Sequence, residues 1–371
     1  MFNILFIHSS SELYGSDRSL LNIVKNIDRT KYRIHVVLPC QGPLVDEMKK
    51  IQDVTVTIFE VAVLRRKNLS CKGLWSYSKS FMKSIRFIKK YIVVNQIDIV
   101  DTNTAVVFPG AIAAKWCKKK SVWHIREIIN NKFENVVISH IMQKYSDLII
   151  ANSEATGKAL KVGKSKVRVV YNAVENTNNG IKIPHEKLIV GMAGRINRWK
   201  GQKLFIDMAE LVYKQHPDAL FLIAGDAYYG EEYLRIELEK YIKNKKMQDS
   251  IILLGQVNDM DTFYNNLDVF VLPSIQPEPF GLVVIEAMEH GLPVVATNHG
   301  GPVEIITNGV DGYLVPYTSQ FQMAEKVNEL LNDKNKRKEM GEKGIEKKQR
   351  RFSIDAMVNG VQDVFDEALR L

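Results

Sequence analysis

The sequence has little cysteine and no long apolar run, and both shortages narrow the class of protein. Its three cysteines, Cys40, Cys71 and Cys117, stand far apart in 371 residues, and none lies in CxxC spacing. This argues against a disulfide framework or a zinc site and fits a reducing cytoplasm. No run reaches the roughly 18 apolar residues of a membrane-spanning helix. The first residues lack the basic leader of a signal peptide, and we expect a soluble, cytoplasmic chain.

Several chemical motifs are also missing. The sequence contains no GxGxxG, no Walker loop, no HExxH motif, no recognisable catalytic triad and no RNA-binding signature. No acidic pair of the DxD kind, which metal-dependent sugar transfer commonly uses to hold Mg²⁺ or Mn²⁺, stands out either. These absences predict a protein that requires no cofactor, holds no metal and binds no nucleic acid.

The charge is distributed unevenly along the chain. Residues 1–185 carry a net charge of +15 and the remainder −6, within a total of +9. A basic half of this kind favours an anionic neighbour, such as nucleic acid, anionic lipid or a phosphorylated substrate. The acidic second half weighs against nucleic acid.

Short β-rich runs alternate with helical segments in both halves, as at Phe2–His8 and Leu188–Ala193. This alternation predicts doubly wound parallel sheets, and the length suits two domains. The polar segment Glu175–Glu186 is the best linker candidate. We therefore predict an α/β protein with two Rossmann-like domains, residues 1–180 and 181–353, facing a cleft. Ligands of such folds bind beyond the carboxyl ends of the strands.

The most specific segment is PEPFGLVVIEAMEHGLPVVAT, Pro277–Thr297. Glu278 precedes a Pro-Phe-Gly turn, and an apolar helix is predicted to start near Leu282 and to carry Glu286 about one turn later. The free N–H groups at a helix start favour a negatively charged ligand. Carboxylates beside such a site accept hydrogen bonds from sugar or ribose hydroxyls. The alternative, a turn residue and a solvated helix residue, fits an isolated pair of glutamates better than this pair.

A basic loop, GMAGRINRWKGQ, follows a predicted strand that ends at Gly194. Arg195 offers a planar fork and Lys200 a point charge, and both suit a diphosphate. They are able to stabilise a nucleoside-diphosphate leaving group without a metal. Arg198 is a third cation nearby. Alone, the loop also fits a merely solvated basic turn.

Three weaker signals accompany these segments. Gly15 in SSSELYGSDRSL allows backbone to approach a ligand, and His124 in VWHIRE falls at the end of a predicted strand. The Gly300–Gly301 turn in NHGGPVE offers backbone donors to an anion or a sugar hydroxyl. Each has a structural alternative: a helix cap, a core histidine and a plain turn.

Together with IIANSEAT (Ile149–Thr156) and VVYNAVE (Val169–Glu175), these segments resemble family 4 of the retaining glycosyltransferases, which have the GT-B fold. The resemblance covers nearly the whole chain, and GRINRWKG with EPFGLVVIEAM is its most specific part. It implies metal-independent transfer of a hexose, with retention of anomeric configuration, in polysaccharide or glycolipid synthesis. The implied donor is a nucleotide sugar, UDP-linked ahead of GDP-linked, and the implied acceptor is a saccharide or a lipid-linked sugar.

The resemblance also assigns regions of the chain. Residues 1–180 would bind the acceptor and 181–353 the donor, while a final helix, 354–371, would pack back on the first domain. Two departures affect the first loop, where Tyr14 precedes Gly15 in place of a second glycine and Asp17 stands where glutamate is frequent.

Individual roles follow from matching positions. Arg195 and Lys200 match the pair that holds the donor diphosphate, and Glu278 matches the glutamate that meets the donor sugar. The other donor-binding positions are Glu286 for the ribose, Gly15 beside the diphosphate, and the backbone of Phe280, Gly281 and Leu282. His124 matches the histidine near the reacting centre. We expect His124, Glu278, Arg195 and Lys200 to be the catalytic residues.

One stretch of the basic half, Lys72–Asn95, has helical spacing with two distinct faces. Lys79, Lys83, Arg86 and Lys90 share one face, and Phe81, Ile85, Ile88 and Ile92 share another; Arg65, Arg66 and Lys67 lie just upstream. A basic amphipathic helix suits an anionic membrane surface. It predicts peripheral attachment of the acceptor side to the inner face of the cell membrane. In the alternative, the apolar stripe packs on the sheet and the lysines are solvated.

Two further functions stay open at this point. A GT-B protein that binds a nucleotide sugar without turnover would show the same motifs. A two-domain Rossmann oxidoreductase would share the fold, although the missing GxGxxG weighs against it.

Overall fold

The computed structural model describes residues 1–64, 68, 70–176 and 179–371, without the side chain of Cys71. Arg65, Arg66 and Lys67, and residues 177–178 of the predicted linker, lie outside the described residues. The chain divides into two compact units, Met1–Ala173 with Ile354–Leu371, and Val174–Ser353. The boundary therefore follows Ala173 rather than residue 180, and the final segment belongs to the first unit.

The first unit is built on a parallel sheet of seven described strands, in the order β3-β2-β1-β4-β5-β6-β7. The strands are β1 (Phe2–His8), β2 (Tyr32–Leu38), β3 (Val54–Ile58), β4 (Ile99–Asn103), β5 (Lys120–Ile125), β6 (Leu148–Ala151) and β7 (Val167–Val169). The helices are α1 (Gly15–Asn26), α2 (Pro43–Lys49), α3 (Cys71–Val94), α4 (Pro109–Trp116), α5 (Lys132–Tyr145), α6 (Glu154–Ala159) and the final helix Ile354–Arg370.

Helices cover both faces of this sheet. Even-numbered residues of β1, such as Phe6, pack with Val361 and Phe365 of the final helix. Odd-numbered residues, such as Leu5, pack with Ile88 of α3. The strands are therefore apolar on both faces, as expected of a buried parallel sheet.

The second unit repeats the plan with six described strands in the order β10-β9-β8-β11-β12-β13. The strands are β8 (Ile189–Ala193), β9 (Leu220–Ala224), β10 (Ile251–Gly255), β11 (Val269–Leu272), β12 (Val294–Thr297) and β13 (Gly312–Val315). The helices are α7 (Gln202–Tyr213), α8 (Tyr233–Asn244), α9 (Met260–Asn265), α10 (Leu282–Glu289), α11 (Pro302–Ile305), α12 (Gln320–Asn332) and α13 (Lys334–Arg351), so the final helix is α14.

Strand order reverses beside β1 in the first sheet and beside β8 in the second. Crevices at the carboxyl ends of the strands, next to such a reversal, are the usual ligand sites of doubly wound sheets. In the second unit Lys200 and Glu278 follow the two strands that flank this point, whereas in the first unit Gly15 follows β1 and His124 lies in β5, one strand further along the sheet.

Helix α3 corrects one part of the sequence interpretation. Its isoleucines Ile85, Ile88 and Ile92 are buried in the core of the first unit. The predicted apolar stripe therefore packs on the sheet and is not available to a membrane. Lys79, Lys83, Arg86 and Lys90 are exposed. No helix in the described part of the chain combines the length and apolarity needed to cross a bilayer.

Candidate functional site

Polar side chains line up at the carboxyl ends of three neighbouring strands in the first unit. His8 of β1 pairs in register with Asn103 of β4, which pairs in register with His124 of β5. Because side chains alternate along a strand, Asp101 lies on the same face as Asn103. All four side chains are buried, so the site is built into the core of the unit rather than laid on its surface.

Arg126, just beyond β5, connects this row to other parts of the first unit. Its Nε donates to Asn103 Oδ1 at 3.2 Å, and its Nη1 donates to Ser19 Oγ at 2.6 Å and to Asn172. Burial lowers the pKa of Arg126 to about 10, against the opposing effect of nearby carboxylates. The group stays a cation at neutral pH and holds α1, β4 and the segment after β7 around one charge.

The first loop reaches the same row through a carboxylate. His8 Nε2 lies 2.6 Å from Asp17 Oδ1, and Asp17 Oδ2 accepts the Tyr14 N–H at 2.9 Å, next to the start of α1 at Gly15. Asp17 therefore caps the N-terminus of α1, and it is fully buried. This position, noted in the sequence as a departure from the family, has a local structural role.

His124 and Asp101 face each other, and the pKa of each side chain is shifted from its usual value. Burial, with Arg126 and His8 adding to it, holds the pKa of His124 well below its usual range. Burial raises the pKa of Asp101 to about 8, opposed by the charge of Arg126. Strongly perturbed groups in a buried polar cluster at a strand end are typical of functional sites.

Thr104 adds a strained backbone at the same edge. Its φ of 136° is rarely adopted by a β-branched residue. Three hydrogen bonds hold this conformation: the Thr104 N–H donates to the His124 carbonyl at 3.0 Å, its carbonyl accepts the indole N–H of Trp123 at 2.7 Å, and its hydroxyl donates to Glu127 at 2.8 Å. Strained backbone conformations that are held by several surrounding contacts are found most often at ligand-binding sites.

The second unit brings the two most specific sequence segments together. Lys200 Nζ lies 2.8 and 3.0 Å from the two carboxylate oxygens of Glu278, and Ser274 Oγ donates to the same carboxylate at 2.9 Å. The side chains of Lys200 and Glu278 are only 14% and 9% exposed. Lys200 follows β8 and Glu278 follows β11, so the pair lies at the reversal of strand order.

Close backbone approaches make this geometry possible. A Cβ on Gly201, which has a φ of 77°, would lie 1.8 Å from the carbonyl oxygen of Pro273. A Cβ on Gly300 would lie 2.2 Å from the carbonyl oxygen of Glu278, and Gly301 donates its N–H to that oxygen at 2.8 Å. The Gly300–Gly301 turn therefore supports Glu278, and the Gly301 N–H predicted to meet an anion is already used.

The other cations of the basic loop point to different partners. The Arg195 guanidinium stacks on the ring of Tyr228, 3.3 Å from its centre. Arg198 is 3.6 Å from Glu237 of α8 and is well exposed. The structure thus places Lys200 with Glu278 and Arg195 beside an aromatic ring, and it does not bring Arg198 to them.

Glu286 occupies the helix that begins at the Pro-Phe-Gly turn. Tyr264, fully buried in α9, donates its hydroxyl to Glu286 Oε2 at 2.8 Å, and burial beside this carboxylate raises the pKa of the tyrosine well above its usual range. Gly281 caps α10 with a φ of 102°, and α10 begins at Leu282 as predicted. Phe280 is buried against Phe352.

Four of these residues carry no strong signal in the sequence. Asp101 and Asn103 show only as polar residues in an apolar strand, Ser274 as a serine after another strand, and Tyr264 as one aromatic among many. A polar residue at the carboxyl end of a buried strand is the signal that would have found the first three.

A DxD-spaced acidic pair, Asp259 and Asp261, does occur in the sequence. Asp259 caps α9 through Thr262, and Asp261 lies 3.2 Å from His290. Within residues 1–64, 68, 70–176 and 179–371, no three His, Cys, Asp or Glu side chains form a group able to hold a metal ion. Independence from metal stays a prediction.

Comparisons with known proteins identify relatives of the chain in sequence and in fold. The family model described as Glycosyltransferase Family 4 matches residues 14–177, and the one described as Glycosyl transferases group 1 matches residues 174–347. The crystal structure of Anabaena Alr3699/HepE in complex with UDP and glucose has the same fold, with a TM-score of 0.84, 23% identity and coverage of 99% of this chain and 100% of that one.

Two curated relatives match over a smaller share of the chain. The chain is 27% identical to spore coat protein SA of Bacillus subtilis over 55% of its own length, and it spans 59% of that protein. It is 25% identical to the UDP-Gal:alpha-D-GlcNAc-diphosphoundecaprenol alpha-1,3-galactosyltransferase of Escherichia coli, over 82% of this chain and 81% of that one.

The two family models meet at residues 174–177, beside the boundary between the structural units, and together they span both predicted sites. The chain belongs to the group 1, family 4 glycosyltransferases of GT-B fold.

Proposed function

We propose that this glycosyltransferase moves a hexose from a UDP-sugar, without a metal and with retention of anomeric configuration. The observation that carries the proposal is the Lys200–Glu278–Ser274 cluster at the strand reversal of the second unit. A sugar nucleotide offers what such a cluster binds: an anion for the lysine and hydroxyl donors for the carboxylate. That HepE was solved with UDP and glucose, and that the galactosyltransferase is named for UDP-Gal, supports the uridine base.

Each residue then has a role in the transfer. Lys200 and Arg195 bind the diphosphate and stabilise the negative charge that develops on it as the bond from the anomeric carbon to its oxygen breaks. Glu278 accepts hydrogen bonds from the sugar, and Glu286, held by Tyr264, accepts them from the ribose. The acceptor hydroxyl forms the new bond on the same face and passes its proton to the leaving phosphate. Gly15, the backbone of Phe280, Gly281 and Leu282, and His124 complete the donor site.

Lys200 and Glu278 form an ion pair with each other. Binding of a diphosphate gives the lysine a second anion, so the pair must loosen as the donor enters. This exchange avoids leaving an unpaired charge at a site that is largely removed from water, which would be costly.

The first test is binding of nucleotides in the presence of EDTA. Thermal shift with UDP, GDP, ADP, dTDP and CMP is expected to show stabilisation by UDP alone. Stabilisation by another base would replace the uridine assignment, and a requirement for added Mg²⁺ or Mn²⁺ would refute metal independence. Turnover with a panel of UDP-hexoses, followed by NMR of the anomeric proton, then tests retention.

A second candidate, a protein that binds the nucleotide sugar without transferring it, makes a different prediction. It would bind UDP yet release none from any UDP-sugar, with or without acceptors. Both candidates would share the Lys200–Glu278 pair, so measured UDP release decides between the two.

The acceptor is proposed to be a saccharide or a lipid-linked sugar in polysaccharide or glycolipid synthesis, bound by the basic first unit. The galactosyltransferase relative, whose name specifies a diphosphoundecaprenol-linked sugar, supports a lipid-linked form. The protein would then work in the cytoplasm at the inner face of the membrane.

The surface proposed to meet the membrane is the outer face of α3, because the buried stripe is not available. Trp75, 65% exposed, carries the ammonium group of Lys79 over its ring at 3.6 Å, and Leu74 and Met82 are also exposed. Apolar side chains among lysines suit the interface of an anionic bilayer. The protein is expected to sediment with vesicles containing phosphatidylglycerol at low salt, and less with neutral vesicles.

The matched variants separate this surface from general basicity. Lys79→Glu with Lys83→Glu should release the protein from the vesicles, whereas Lys158→Glu with Lys161→Glu, at exposed or partly exposed positions elsewhere in the first unit, should not. The membrane proposal would be refuted if both double variants sedimented equally with the vesicles, or if the wild-type protein did not sediment at all. Neither outcome would bear on the proposed donor site.

A further inference from the structure

Two buried polar atoms face each other in the first unit without partners. His124 Nδ1 and Asp101 Oδ2 are 3.9 Å apart, and their side chains are 1% and 0% exposed. Neither atom has a hydrogen bond among the described residues. Leaving a buried donor or acceptor without a hydrogen bond is unfavourable, so we expect the two atoms to share a proton.

Neighbouring groups fix how Asp101 is oriented. Asn103 Nδ2 donates to Asp101 Oδ1 at 2.9 Å, which leaves Oδ2 as the oxygen that faces the ring. A small side-chain rotation that brings Oδ2 to ordinary hydrogen-bond distance satisfies both atoms at once. The same donation means that an amide at position 101 would place its oxygen toward Asn103 and its NH₂ toward His124.

Charged groups around the pair decide which proton is present. Arg126 and His8 both disfavour a positive charge on His124, and burial acts in the same direction. Burial keeps the Asp101 carboxyl protonated up to about pH 8, although Arg126 opposes this. The other acids that act on Arg126, Asp17 and Glu127, are engaged with His8 and Thr104. The imidazole is therefore neutral, and the proton that titrates lies on the carboxyl.

We propose that Asp101 is a positioning residue that selects the tautomer of His124. With the Asp101 carboxyl donating its proton to Nδ1, the ring keeps its own proton on Nε2, which is then a hydrogen-bond donor. When the pair loses one proton to solvent, the Asp101 carboxylate accepts from Nδ1–H instead. The neutral ring then bears its proton on Nδ1, and Nε2 becomes an acceptor.

This inference rests on the proposed function, in which His124 meets the donor sugar. Below the transition, Nε2–H donates to a sugar oxygen; above it, that bond is lost and a lone pair faces the same oxygen. Loss of one such bond lowers kcat/KM by about tenfold. The rate is expected to fall between pH 7 and pH 9 while the affinity for UDP, which lacks the hexose, stays constant.

The direct test is NMR of ¹⁵N-labelled histidine in the full-length protein. The ring signals of His124 are those that disappear in His124→Gln. They are expected to show the Nε2–H tautomer at pH 6.5 and the Nδ1–H tautomer at pH 9, with a midpoint near 8. One tautomer throughout this range, or conversion to imidazolium, would overturn the proposal. The wild-type titration alone decides this, even if a variant folds poorly.

Asp101→Asn supplies the conservative rescue. The amide NH₂ donates to Nδ1 at every pH, so the variant should hold the Nε2–H tautomer and lose the alkaline fall in rate. Asp147→Asn, at a carboxylate that accepts the Ser121 N–H at the far end of β5, should keep the wild-type profile. An unchanged midpoint in Asp101→Asn would sink the assignment. The tautomer is read without turnover, so failure of the proposed function would appear separately, as absence of UDP binding.

Discussion

The two units use the same sheet plan but build their polar sites in opposite ways. In the first unit the polar groups are buried and partly unsatisfied, and Arg126 links Asn103 to Ser19 and Asn172. In the second unit Lys200 and Glu278 form an ion pair and retain some exposure to solvent. Glycines beside them allow close approaches between backbone segments. The second site therefore has the features of an anion-binding site, whereas the buried polar groups of the first site are fixed in position by their surroundings.

The largest effect is expected from breaking the Lys200–Glu278 pair. Lys200→Ala and Glu278→Ala should each lower kcat by about 10³-fold or more, because a charge-stabilising contact to the reacting centre is lost. Lys214→Ala, at the exposed end of α7, is the matched control and should keep the wild-type rate. Near-native kcat in either site variant, measured by UDP release, would contradict its assigned role.

The next largest effect is expected on stability, from a substitution at the close backbone approach of Gly201 in the second unit. Gly201→Ala should cost about 3 kcal/mol, because a Cβ would strike the Pro273 carbonyl in addition to the strain of a positive φ. Gly230→Ala shares the positive φ, at 87°, but meets nothing within 4 Å, so it should cost only about 1 kcal/mol. Hydrogen exchange of β8 and β11 measures both, and equal costs would mean that the close approach is not what matters.

The buried acid of the first unit predicts a dependence of stability on pH. Because the pKa of Asp101 is raised to about 8 by folding, the native state holds a proton that the unfolded chain releases near pH 4. Its contribution to stability is therefore complete below pH 4 and is lost as the pH rises to 8. Asp101→Asn cannot titrate, and relative to wild type it should gain about 2 kcal/mol between pH 6 and pH 8.

Hydrogen exchange of β4 and β5 is the measurement for Asp101→Asn. A constant difference between variant and wild type across this range would show that Asp101 is ionised in the native protein.

The smallest effect concerns the support of Glu286. Tyr264→Phe removes one hydrogen bond to the carboxylate and should weaken UDP binding by about tenfold or less, near 1 kcal/mol, with kcat unchanged. Tyr241→Phe removes a comparable bond to Asp207 elsewhere in the unit and should leave UDP affinity as it was. Calorimetric titration distinguishes them, and a fall in kcat alone would place Tyr264 outside ribose binding.

Much of the architecture could be predicted from periodicity, because buried parallel strands are short apolar runs between turns. The predicted strand Phe2–His8 has the predicted bounds, and the predicted strand Leu188–Ala193 begins one residue later, at Ile189. The strands β7 (Val167–Val169) and β13 (Gly312–Val315) were not predicted, since they are short sheet-edge strands and include arginine or glycine. Amphipathic spacing in α3 identified a helix with a buried face but not what covers that face, because a sheet and a bilayer select the same pattern.

The site shows where local patterns stop being informative. The segments of Lys200 and Glu278 were singled out by residue type, yet their direct pairing joins positions 78 apart, which only the strand order determines. Asp101 was missed because its raised pKa comes from burial, and a single carboxylate in a strand gives no sign in the sequence that it is buried. Residue types predicted the chemistry of the second site, whereas that of the first depends on tertiary packing.

Helix α14 has a consequence for how the protein is made. Val361, Phe365 and Ala368 complete the core beneath β1, although they are synthesised only after the whole second unit. The second unit, Val174–Ser353, is contiguous and is able to fold as soon as it leaves the ribosome. The first unit keeps one face of its sheet uncovered until α14 has also been synthesised. Its apolar surface is exposed during that interval, so of the two units it has the greater need of a chaperone.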